Sequence, residues 1–185
     1  MGVDDGSFQG RSFVTREPHS ALLVAVLVEG FRIVALRMGK VTVDGLDATA
    51  TLNRLLNGLR FDAVLLSGIS FAGFNLIDPH IISKKRRKPI IIISGSRPDN
   101  HSVKKALTLH FEDWRTRWAI ISRLGSIHQI RSCKAEPPLF FEVVGTTVQK
   151  ARDLIKRSAR LSRLPEPIRI AGIVAKGLTL SVDAP

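Results

Sequence analysis

Two short acidic stretches carry the residues best suited to chemistry. Near the start, GVDDGSF (residues 2–8) sets Asp4 and Asp5 side by side ahead of Gly6, and VTVDGLDATATL (residues 41–52) holds Asp44 and Asp47. In a chain with 28 Lys and Arg against 16 Asp and Glu, these concentrations of negative charge run against the general balance. Carboxylates brought together from sequence-distant elements can hold Mg²⁺ or Mn²⁺, hard ions that take oxygen ligands. Such an ion can activate water and neutralise charge at a phosphate. Each stretch also has a plainer reading. Asp-Asp-Gly is an ordinary turn, since Asp bonds nearby backbone N–H groups and Gly accepts positive φ. Asp44-Gly45 reads as another turn, with Asp47 as the N-cap of a following helix.

The elements that must position these acids are legible from periodicity. Residues 20–28 (SALLVAVLV) and 31–43 (FRIVALRMGKVTV) are two extended runs joined at Glu29-Gly30, the signature of a hairpin. Leu52, Leu55, Leu56 and Leu59 then recur at helical spacing. Residues 62–66 (DAVLL) and 88–94 (KPIIIIS) are short apolar runs with little alternation, as expected for strands buried on both faces. Val103, Leu107, His110, Phe111, Trp114, Trp118 and Ile121 mark one long helix or two abutting ones, and packing within it accounts for both tryptophans. Residues 127–131 and 139–144 are further strands. Val148, Ala151 and Ile155 define a basic amphipathic helix, and Pro165 opens a last helix that should end before Gly177. The order is three strands followed by alternating helix and strand with C-terminal additions, which is the chain order of the ribonuclease H-like fold. An α/β domain of that class spanning residues 1–185, with a mixed sheet, its first three strands antiparallel, and helices on both faces, is the expected architecture.

Charge points to the partner. A net charge of +12 favours a polyanion, DNA or RNA, over a membrane surface. The longest apolar run is eight residues, far short of the roughly 20 of a spanning helix. One cysteine, Cys133, excludes an intramolecular disulfide framework and any multi-cysteine zinc site, and with an N-terminus led by acids rather than bases it implies a cytoplasmic setting. The five histidines show no paired metal-ligand spacing, and no Walker-type glycine loop supports a nucleotide-binding enzyme.

A third stretch, SGISFAGFNLIDP (residues 67–79), follows a buried strand directly. Together with the two acidic stretches, KPIIIISGSRPD and LPEPIRIAGIVAKGL, it resembles a largely archaeal family of uncharacterised proteins, the domain of unknown function numbered ninety-nine, which is similar to endonuclease V. The resemblance covers essentially the whole chain. It implies a metal-dependent endonuclease whose first-strand Asp is matched by Asp4 and whose acid ahead of the first helix is matched by Asp47 or Asp44; in the expected site Asp4 and Asp47, helped by Asp5 or Asp44, hold Mg²⁺ or Mn²⁺. Endonuclease V also carries Asp-Gly at the end of the next strand, where this chain has Ser67-Gly68. A serine hydroxyl brings no negative charge, so the inherited site is either weakened or completed by another acid, Asp78 or Glu166. The rival expectation is a catalytically inactive nucleic-acid-binding or scaffolding module that has lost the Asp at position 67.

Binding residues follow from the same stretches. Ser67, Gly68, Phe71, Gly73, Phe74 and Asn75 would line a substrate loop, where the two phenylalanines either stack on a base or, as is commoner, pack in the core. Between residues 150 and 169 seven bases face only Asp153 and Glu166, so Lys156, Arg157, Arg160 and Arg169 are expected to contact phosphates. Five consecutive bases at residues 84–88 (KKRRK) read as a solvated loop ahead of a strand.

Overall fold

A computed structural model describes residues 1–6, 19–30 and 32–180. Ser7 and Phe8 of the first acidic stretch, and Phe31 of the hairpin, lie outside the described residues. The core of the molecule is a seven-stranded mixed sheet. Its first three strands, β1 (Gly2–Asp5), β2 (Ser20–Glu29) and β3 (Arg32–Thr42), pair antiparallel. β4 (Val64–Leu66) then runs parallel to β1 on its other side, and β7 (Ile90–Ser94) runs parallel to β4. β9 (Leu139–Val144) and β8 (His128–Ile130) close the far edge antiparallel, giving the order β3-β2-β1-β4-β7-β9-β8. A small separate hairpin pairs β5 (Ser70–Phe71) with β6 (Asn75–Leu76).

The continuous apolar runs sit where their composition requires, in the middle of the sheet. Leu66, Ile90 and Ile92 point to one face with Val3, against α1 (Ala48–Leu55) and α2 (Pro79–Arg86) through Leu52 and Ile82. Leu65, Ile91 and Ile93 point to the other, against α5 (Val148–Ser158) and α6 (Glu166–Leu180) through Ala151, Ile155 and Ile168. Burial on both sides removes the need for polar alternation. α3 (Asn100–His110) and α4 (Trp114–Ser122) are two helices, broken where Phe111 turns to extended backbone, and Leu107, Ile121, Trp114 and Trp118 pack them together over Leu76.

Three expectations need correction. Residues 84–86 are the last turn of α2, not a loop; Asp78 caps that helix through the N–H groups of His80 and Ile81, Pro79 occupies its first position, and cations at its C-terminal end suit the helix dipole. α6 runs through Gly177 to Leu180, because Ala171 and Ala175 keep its small-residue face packed on β2 and the Thr179 hydroxyl bonds back to the Ala175 carbonyl at 2.9 Å. That anchoring outweighs the penalty of about 1 kcal/mol for a glycine inside a helix. Residues 70–76, expected as part of a substrate loop, form the β5–β6 hairpin, because strands of two residues leave no periodic trace in sequence. No helix among the described residues is long and apolar enough to cross a membrane.

Candidate acidic cleft

β1 ends on Asp4 and Asp5, and because successive strand side chains face opposite ways, the two acids serve opposite faces of the sheet. Asp4 pairs across from Val24 on the α6 side, and Asp5 from Leu23 on the α1 side. Ser67, the first residue beyond β4, donates its N–H to the Val3 carbonyl at 3.1 Å, which seats it beside Asp4, and its hydroxyl donates to Asp4 Oδ1. The Asp5 N–H reaches the same oxygen at 3.0 Å. Asp4 Oδ2 faces α6 at Gly172, where any Cβ would overlap it, so the glycine makes room for the carboxylate. Burial is the main influence on both acids and pushes both above the usual Asp range. For Asp4 the Ser67 hydroxyl opposes this most; for Asp5 the Ala72 N–H does, at 2.6 Å from Oδ2. Lys176, one turn beyond Gly172, attracts both.

Asp44 and Asp47 are placed close by in a different arrangement. Asp44 stands in the left-handed region at φ 57°; its N–H donates to Ala72 O at 2.8 Å and its Oδ1 accepts from Phe74 N–H at 2.9 Å. Ala72 is therefore the meeting point, holding Asp5 with its N–H and Asp44 with its carbonyl. Asp47 makes no cap bond to its helix and accepts instead from Thr42 N–H (3.1 Å), Thr42 Oγ1 (3.2 Å) and Asn75 Nδ2 (2.5 Å). The cap comes from Asn75, fully buried, whose Oδ1 accepts the Ala48 N–H at 3.0 Å while its Nδ2 also donates to Thr42 O at 2.8 Å. Arg117, buried on α4, completes the brace with bonds to the carbonyls of Asp44, Gly45 and Phe74 and an ion pair to Asp113 at 2.7 Å.

The structure thus brings Asp4, Asp5 and Ser67 together and engages Asp47 in holding the β3–α1 turn. Among the described residues no group of three or more His, Cys, Asp and Glu stands close enough to hold a metal. Mg²⁺ is commonly held by one or two carboxylates, completed by waters and substrate phosphates; Asp4 meets the lower limit of that requirement by its chemistry, while Asp5 faces the other side of the sheet. Neither substitute acid joins them. Asp78 caps α2 and pairs with Arg123 at 2.6 Å. Glu166 lies at the wrong end of α6: Pro167 packs on Gly2, whereas the residue that packs on Asp4 is Gly172, about 9 Å along the helix from Glu166. Glu166 pairs instead with Arg169 at 2.6 Å, which removes Arg169 from the free phosphate contacts. Phe71 is buried and Phe74 packs edge-on to Phe111 at 5.4 Å, so both serve the hairpin's packing, as does the buried Asn75. Gly73 lies against Asp44. Lys156 and Arg157 flank Asp153 in a shallow hollow on α5.

Sequence reasoning missed Gly172, Lys176, Arg117 and Glu142. The first two are spaced four apart in AGIVAK, a helical-face signal; Glu142 interrupts the apolar run LFFEVV, where a lone acid in a buried strand is itself the signal.

The family model described as Endonuclease dU matches residues 1–179. A UPF0215 protein of Methanothermobacter thermautotrophicus is 34% identical over 185 residues, covering 97% of this chain and 87% of its own. A second from Methanopyrus kandleri is 35% identical over 184 residues, covering 97% and 90%. Among solved structures, a protein of unknown function from Archaeoglobus fulgidus superposes with TM-score 0.80 at 26% identity, covering 96% of this chain and 95% of that one. Human endonuclease V superposes with TM-score 0.63 at 18% identity (99% and 84% covered), and Ciona intestinalis endonuclease V, crystallised with inosine-containing DNA, with TM-score 0.60 at 16% (98% and 86%). The fold is that of endonuclease V, ribonuclease H-like.

Proposed function

The chain belongs to the endonuclease dU family, and from that premise we propose that it hydrolyses phosphodiester bonds of DNA or RNA at the Asp4–Asp5 end of β1, using Mg²⁺ or Mn²⁺. The observation that carries this reading is the half-buried carboxylate pair at the end of a central strand, with Ser67 fixing Asp4 and Gly172 making room for it. In this reading Asp4 holds the ion, and Asp5, on the other face of the sheet, is held by the hairpin. When bound, a divalent ion supplies Lewis-acid polarisation and charge neutralisation at the phosphate. Ser67 orients Asp4 by donating to one of its oxygens, and the hairpin around Ala72 orients Asp5. Lys176 tempers the repulsion between the two carboxylates. Lys156 and Arg157 on α5, with Arg160 just beyond it, supply sequence-independent phosphate affinity that weakens with salt.

Ser67 in place of a third carboxylate favours one alternative, a module that binds nucleic acid without cutting it. Incubating the protein with deoxyuridine-containing, inosine-containing and plain DNA and RNA, each with Mg²⁺ and with Mn²⁺, separates the two. Cleavage that EDTA abolishes is the expected result. Salt-sensitive binding with no cleavage of any substrate would leave the binding module.

A further inference from the structure

The five consecutive bases at residues 84–88 have no part in the acidic cleft, yet three of them converge elsewhere. α2 ends at Arg86, and Arg87 turns the chain through the left-handed region at φ 54°. Lys85, Arg86 and Lys88 thereby line one cavity of about 670 Å³, joined by Arg60 from the segment ahead of β4, whereas Lys84 and Arg87 stay off its wall. Met1 and Ala63, which precede β1 and β4, also line it. Asp4 and Ser67 stand at the other ends of those strands, so the cavity is no extension of the cleft.

On this wall cations outnumber acids four to two, the acids being Glu29 and Asp62. None of the six forms an ion pair with a described residue, although opposite charges share the wall. Arg86 is anchored by donating to the Asn53 carbonyl and, at 2.7 Å, to Asn57 Oδ1, while its buried Nε has no acceptor. Leu59, Phe61 and Leu154 supply apolar wall beside these charges. The volume lies within the roughly 300–1,000 Å³ of small-molecule sites, which combine apolar lining with a few convergent polar groups.

We propose that this cavity binds a small organic phosphate monoester, with its phosphate against Arg60, Lys85 and Lys88 and its apolar body against Leu59, Phe61 and Leu154. A monoester phosphate carries about 1.5 to 2 negative charges and three acceptor oxygens. That suits several cations better than a carboxylate, with its single charge and two oxygens. The guanidinium of Arg60 can meet two phosphate oxygens with parallel N–H bonds, and the lysines add point charges. Arg86, already fixed in place, has an N–H left to give. The inference does not depend on the nuclease reading, since it uses the opposite end of the sheet.

The test is titration calorimetry of the whole chain with 2-naphthyl phosphate, in EDTA so that no metal recruits the phosphate to the acidic cleft. The probe should bind at one site, roughly tenfold more tightly than 2-naphthol or inorganic phosphate, each of which lacks half of the match. Replacing Lys85 and Lys88 together by Ala should weaken it by roughly tenfold or more, the scale of lost charge-assisted hydrogen bonds. Arg60→Ala, on a separate segment, should weaken it too. Replacing Lys84 and Arg87 by Ala removes the same charge from the same run and should change affinity by no more than about twofold, because exposed charges off the wall are screened. A single-stranded oligonucleotide should not displace the probe. Absence of saturable binding, or equal losses in the two double variants, would overturn the proposal. So would displacement by the oligonucleotide, which would make these bases a contact for nucleic-acid backbone.

Discussion

The two acidic stretches resemble each other in composition and differ in what surrounds them. At the end of β1, Asp4 is fixed through one oxygen by Ser67 while its other oxygen faces the space Gly172 leaves, and burial keeps both Asp4 and Asp5 hard to ionise. At the β3–α1 turn, Asp47 accepts from Thr42 and Asn75, and Asp44 is locked to the β5–β6 hairpin by its backbone and its carboxylate. The first arrangement leaves two desolvated carboxylates above the usual Asp range; the second uses its acids as braces. The difference teaches that an acid's role is set by its burial and by what its partners tie together rather than by its neighbours in sequence.

The largest effect on this contrast should come from Asn75→Ala. It removes the α1 cap and the Asp47 and Thr42 bonds from a fully buried site, so denaturant unfolding should show a loss of about 3 kcal/mol, as expected when buried partners are left unpaired. A loss near zero would mean that the turn is not braced by this side chain. Gly172→Ala should follow at about 2 kcal/mol, the usual scale of overpacking, since its methyl overlaps Asp4. Its sharper signature is a weakened thermal shift on adding Mn²⁺, which Gly177→Ala, five residues along the same helix and in open space, should not share. Glu142→Leu should move the other way, stabilising the fold by about 1 kcal/mol by removing a buried carboxyl to which none of the described residues gives a hydrogen bond. A clear loss of stability would show that Glu142 has a structural partner.

The smallest effect is on pH dependence. An acid whose folded pKa lies above its unfolded value binds its proton more tightly when folded. Its contribution to stability is therefore complete below the unfolded Asp value of about 3.9 and is lost as pH rises through the raised folded value. Asp4→Asn and Asp5→Asn should each flatten the decline in stability above pH 4 in metal-free buffer. A slope identical to the parent's in both variants would remove burial as the dominant influence on the pair.

Much of this was legible in the sequence, and what was not has physical reasons. The strands and helices that bury continuous or helical-period apolar residues were readable, down to residues 139–144 as β9. Ser67 at the end of β4 was also readable, through the resemblance to endonuclease V, which carries Asp-Gly at that point. Illegible were contacts made by single side chains across long separations: Asn75 replacing Asp47 as the cap, Arg117 tying three carbonyls, and Gly172 opposing Asp4. Glu166 was misplaced because sequence shows that α6 is a helix but not which of its ends meets the end of β1.

The central claim, that the end of β1 does chemistry while the β3–α1 turn only braces it, is tested most directly by single-turnover cleavage of a deoxyuridine-containing strand with Mn²⁺. Asp4→Asn and Asp47→Asn would be compared with the parent at a temperature where unfolding curves show all three folded. The account predicts that Asp4→Asn loses cleavage by a hundredfold or more, on the order of 3 kcal/mol of barrier, with stability unimpaired, and that Asp47→Asn is less stable yet cuts within about threefold of the parent, a change of under 1 kcal/mol. Retained cleavage in Asp4→Asn, or its collapse in folded Asp47→Asn, would contradict it.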